Sequence, residues 1–148
     1  MLAKLLKVVG IGLIVLCCPA RAAEAPGLVL QGESQMKTGQ IDAAIETLRQ
    51  AVATDPGSSL AHTRLGGALL LKQENAEAIE TFRKAIMLDG DNADAFVGMA
   101  IAYLHSGDYA LARASLEEAK RIDPTKAPKV DELIAHIDRR ESGDGGTH

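Results

Sequence analysis

Apolar positions in this chain fall into short helical stripes that recur every 34 residues. Leu28, Gly32 and Met36 stand four apart; after Thr38-Gly39 a second stripe runs through Ile41, Ala44, Ile45, Leu48 and Val52. Spacings of three and four place each set on one face of an α-helix. The pattern then returns in phase. Gly32, Gly66 and Ala100 form one series, and Ala44, Ala78 and Ala112 another. Leu48, Phe82 and Leu116 follow, then Ala51, Ala85 and Ala119, with Asp55, Asp89 and Asp123 closing each unit. A pair of amphipathic helices cannot bury its stripes alone, so a repeat at this period predicts an all-α, right-handed solenoid.

The predicted units are 25–58, 59–92 and 93–126, together occupying 23–126. Asp55-Pro56-Gly57-Ser58 is turn chemistry, with Ser58 or Ser59 available to cap the next helix. Thr38-Gly39-Gln40 and Ser106-Gly107-Asp108 supply glycine inside their units, whereas the middle unit has Gln73-Glu74-Asn75. There Asn75 is expected either to take the left-handed conformation or to cap the following helix. A further helix is predicted over 127–140. Its residues Val130, Leu133, Ile134 and Ile137 continue the packing phase, while Asp131, Glu132, Asp138 and Arg139 form a solvated outer face, as the end of a solenoid requires. The Gly-rich segment 141–148 has nothing to bury and is expected to be disordered.

The spacing His62-x-x-Leu65-Gly66-x-x-Leu69, then Ala78-x-x-x-Phe82 and Ala85, resembles the tetratricopeptide repeat, as do Phe96-x-x-Met99-Ala100-x-x-Tyr103 and Ala112-x-x-x-Leu116. The first unit departs from the pattern at Gln31 and Gln35, as a half-exposed edge allows. Gly66 against Ala78 is expected to leave room for close helix approach, with Phe82 and Ala85 filling the contact to the next unit.

The resemblance implies a non-enzymatic binding module whose first helices line a concave groove. The implied lining is Val29, Glu33, Met36 and Lys37, then Leu60, Thr63, Gly67, Leu70 and Leu71, then Asp94, Val97, Ile101, Leu104 and His105. It is mostly apolar, which fits an apolar or amphipathic peptide of a protein partner. Some members grip a partner's C-terminal carboxylate with Lys, Asn and Arg. Here Val29, Glu33, Thr63, Gly67, Val97 and Ile101 stand at those places, which argues against that mode. The alternative is a self-associating subunit whose groove is filled by another copy, giving a homo-oligomer.

Composition narrows the chemistry further. Aromatic residues make up only 3% of the chain, against 47% hydrophobic, so small and aliphatic side chains must do the packing. Residues 1–22 read as a secretory signal: Lys4 and Lys7 precede an apolar run from Val8 to Cys18, then Ala20-Arg21-Ala22 offers a cleavage site. Cleavage after Ala25 and retention as an inner-membrane anchor are the alternatives, together with a lipoprotein signal at Cys17 or Cys18. Each places the repeats in a bacterial envelope, the first in the periplasm, and only retention of the segment gives contact with the membrane. Loss of Lys4, Lys7 and Arg21 takes three positive charges from a chain of net charge −4, leaving −7. An acidic domain of this size is a poor partner for nucleic acid. Both cysteines lie in the signal, so no thiolate chemistry is expected in the mature chain, and no cofactor, metal or small-molecule substrate is expected. His62 occupies an aromatic core position and His105 a helix end; neither has ligand spacing.

Overall fold

The computed structural model describes residues 24–144, so the segment read as a signal and the last four residues lie outside it. Among the described residues seven α-helices follow one another: α1 (Ala25–Lys37), α2 (Ile41–Thr54), α3 (Ser59–Leu71), α4 (Asn75–Leu88), α5 (Ala93–Ser106), α6 (Tyr109–Ile122) and α7 (Ala127–Asp144), the last preceded by a short 3-10 turn, Pro124–Lys126. Among the described residues there is no strand. Helices pair as α1 with α2, α3 with α4 and α5 with α6; α2 then packs on α3, α4 on α5 and α6 on α7. The result is an all-α solenoid.

Sequence sets the helix limits through specific caps. Ser58 accepts the Ala61 N–H at 3.1 Å, and Asn92 accepts the Ala95 N–H at 2.9 Å, so α3 and α5 each begin on a side-chain acceptor. Inside the units the chain reverses through a left-handed residue, at Gly39, Gln73 and Gly107. These three are 34 apart. The middle turn therefore uses Gln73, with φ of 65°, rather than Asn75, which instead opens α4. The repeat dictates the backbone conformation, and Gln73 adopts it without glycine's freedom.

Small residues sit where helices cross. Ala44, Ala78 and Ala112 are fully buried, as are Ala51, Ala85 and Ala119. Gly66 does not simply make room for Ala78, as its spacing suggested. A Cβ on Gly66 would lie 2.8 Å from the Phe82 ring, and a Cβ on Gly98 in the next unit would collide with the same ring. Phe82 is thus lodged between its own unit and its successor, 2% exposed. Leu48 fills the equivalent place over Gly32, where a Cβ would stand 2.5 Å from its Cγ.

The terminal helix α7 buries Val130 and Ile137 against Tyr103, Leu116 and Ala119. It continues to Asp144, beyond the end at 140 expected from sequence. Two contacts account for the extension: Arg113 of α6 reaches Glu141 at 3.2 Å, and the Ser142 hydroxyl donates to the Asp138 carbonyl at 2.7 Å. Residues 141–144 are therefore helical rather than disordered.

The left-handed strain at residue 73 is removable. Gln73→Gly should raise unfolding stability by about 1 kcal/mol, the approximate excess of a left-handed residue bearing a Cβ. Urea titration checks this; an unchanged or lower midpoint would show that the turn carries no strain.

Candidate binding groove

The first helices of the three units, α1, α3 and α5, lie side by side and leave a groove of about 690 Å³. Glu33, Met36 and Lys37 line it from α1; Thr63, Arg64, Gly67, Leu70 and Leu71 from α3; Asp94, Val97, Gly98 and Ile101 from α5. The Phe82 ring reaches it from beneath. Leu71 is 59% exposed, while Met36, Leu70, Val97 and Ile101 are half-buried. The joint that fixes the repeat spacing therefore also forms part of the groove wall.

Two ion pairs involve residues of the lining. Arg64 pairs with Glu33 across the α1–α3 boundary, and Asp94 pairs with Lys126 at 2.6 Å. The hydrogen-bonded carboxylate of Asp94 raises the Lys126 ammonium pKa above its ordinary value. The Thr63 hydroxyl is engaged internally, donating to the Ser59 carbonyl at 2.8 Å and accepting from Asn92 Nδ2 at 2.8 Å. Apolar surface is what remains for a ligand to cover.

Ten residues expected from sequence meet in this groove: Glu33, Met36, Lys37, Thr63, Gly67, Leu70, Leu71, Asp94, Val97 and Ile101. Val29 does not. It is 4% exposed and packs with Ala51 and Ala61, because the face of α1 that bears it is closed by α2 and α3. Leu60 lines a second, polar depression of about 660 Å³ with Asp89, Asp91, Asn92 and Asp123, which shares Thr63, Arg64 and Asp94 with the groove. Leu104 and His105 line a third cavity, of about 790 Å³, beside α7; Ile101 belongs both to it and to the groove. Arg64 and Gly98 were not expected in the groove. They are 34 residues apart, so the repeat held the signal, but neither falls on an apolar stripe.

His62 and His105 each lie against a neighbouring polar group. His62 is 8% exposed with Nε2 3.1 Å from the Pro56 carbonyl, which ties α3 to the preceding turn. His105 Nδ1 lies 3.3 Å from Asn75 Oδ1. Among the described residues no group of three or more His, Cys, Asp or Glu side chains could hold a metal, and no helix is long and apolar enough to cross a membrane.

Two tetratricopeptide-repeat family models match the chain, over residues 29–93 and 69–137. Together they run through all three helix pairs and into α7. The chain carries tetratricopeptide repeats. A Dictyostelium discoideum STIP1 homolog is 26% identical over 103 residues, covering 70% of this chain but only 18% of that protein. Among solved structures, the TPR2B domain of yeast Sti1, in complex with pHsp70, superposes with a TM-score of 0.75 at 22% identity, covering 82% of this chain and 98% of that one. The Yersinia enterocolitica type III secretion translocator chaperone SycD gives a TM-score of 0.75 at 17% identity, covering 80% and 95%. These likenesses establish the fold.

Two glycines of the groove should respond oppositely to one methyl group. Gly67 has open space around a built Cβ, so Gly67→Ala should gain about 1 kcal/mol of helix stability. Gly98→Ala drives a Cβ into the buried Phe82 ring and should lose about 1–2 kcal/mol. Urea titrations of both compare them directly; equal effects would show that Phe82 is not lodged against Gly98.

Proposed function

We propose that this chain is a non-enzymatic protein-interaction module that holds the apolar side of a polypeptide in the groove of α1, α3 and α5. The observation that carries the proposal is the placement of Leu71, Leu70, Val97 and Ile101 on one concave surface that no described element covers. Phe82 and Ala78 are consumed by packing, so their burial says nothing of a partner; Leu71 has no such explanation. The yeast Sti1 domain is a precedent for peptide binding on this architecture. In this groove Glu33, Gly67 and Val97 offer no cationic cradle for a terminal carboxylate. The signal-like segment at residues 1–22 supports a site of action in the bacterial envelope, with the module serving as a scaffold or assembly factor there.

Leu71→Glu combined with Ile101→Glu tests this reading. Leu71 is exposed and Ile101 half-buried, so the double variant should fold. It should lose partners that crosslink to the parent in cells, as read by mass spectrometry. Met87→Glu with Leu111→Glu, on exposed apolar residues outside the groove, should retain them. Identical crosslinks from parent and groove variant would refute the proposal. Light scattering separates the self-associating alternative, for which the groove variant would convert an oligomer to a monomer.

A further inference from the structure

We infer that the polypeptide held in the groove is acidic, and that a cationic pocket built by α7 receives its carboxylates. This rests on the groove reading and adds the chemistry of the ligand. The cavity beside α7 has Ile101, Leu104 and Leu133 among its walls, all half-buried, and Lys129, Arg139 and Arg140 as its cations. Glu132 is its single carboxylate, and Lys129 pairs with it at 3.1 Å. Arg139 and Arg140 are exposed, and neither is the ion-pair partner of Glu132. Elsewhere the arginines are tied to carboxylates of the domain itself: Arg49 with Glu77, Arg64 with Glu33, Arg83 with Glu80, Arg113 with Asp138 and Arg121 with Glu118.

In a chain of net charge −4, a cavity lined by three cations and one carboxylate is a local inversion of sign. Guanidinium donors fit carboxylates in paired, planar geometry, which favours an acidic side chain over a diffuse counter-ion. His105 of α5 and His136 of α7 also line this cavity. Ile101 is shared between this pocket and the apolar groove, so one extended ligand can place apolar residues over Leu71 and Val97 and acidic ones at α7. A lipid headgroup would use the pocket but leave the groove empty. Continuity of the two therefore favours a polypeptide.

The test uses a labelled synthetic peptide alternating Leu with Glu, a twin alternating Leu with Lys, and phosphatidylcholine–phosphatidylserine vesicles, all titrated with the full chain at low salt. The Leu–Glu peptide should bind and its Lys twin should not. Arg139→Gln with Arg140→Gln should weaken binding about five- to tenfold, and added salt should erase that difference. Leu71→Glu should weaken binding as well. If Leu71→Glu weakens binding and the arginine variant binds as the parent does, the acidic-ligand inference fails while the groove reading stands. If Leu71→Glu changes nothing, the groove reading fails with it. Binding of vesicles with neither peptide bound would assign the pocket to lipid and overturn the proposal, as would equal binding of both peptides.

Discussion

Phe82 is the side chain on which the arrangement of units depends. Its ring is lodged against Gly66 of its own unit and Gly98 of the next, at distances that leave no place for a Cβ on either. Glycine inside a helix costs about 1 kcal/mol relative to alanine, so two such glycines weaken α3 and α5 considered alone. The cost is offset by burying an aromatic ring completely in a joint that otherwise consists of alanines and leucines. With only 3% aromatic residues in the chain, this ring has few substitutes. Fixing the distance between α3 and α5 also fixes the width of the groove, which is how a packing residue shapes a surface that binds elsewhere.

Polar contacts supplement this joint without replacing it. Asn92 Nδ2 donates to Ser59 Oγ at 2.7 Å and to Thr63 Oγ1 at 2.8 Å, while Asn92 also caps α5, so one amide ties the start of α5 to α3. Arg49 with Glu77 and Lys72 with Asp42 cross between the first and second units. Both pairs are largely exposed, and pairs of that kind contribute at most about 1 kcal/mol. None of the four residues lines the groove, so neither pair adds charge to it.

The architecture was legible because the 34-residue period repeats both the helix-facing stripe and the turn. Apolar spacing alone predicted the pairing of helices and the buried alanines. It did not reveal that Gly98 belongs to the Phe82 joint, since an unremarkable glycine off the stripe acquires meaning only when the neighbouring ring is placed. Nor did residue propensity identify Gln73 as left-handed: Asn75 is the better candidate locally, but the equivalent Gly39 and Gly107 settle the position. Val29 was assigned to the groove by equivalence with Thr63 and Val97. At the first unit that position faces Ala51 and Ala61 and is buried. The helical end at 141–144 depends on Arg113, 28 residues earlier, a contact no local pattern contains.

The stripe that repeats builds the solenoid and the residues off it furnish most of the groove, with Met36 and Phe82 serving both. Methyl-resolved NMR tests this division most directly. On titration with the acidic Leu–Glu peptide, the methyl signals of Met36, Leu70, Leu71, Val97 and Ile101 should shift together, with those of Met87 and Leu111 unmoved. Shifts centred on Met87 and Leu111, or none in the groove when the peptide is bound, would contradict the account.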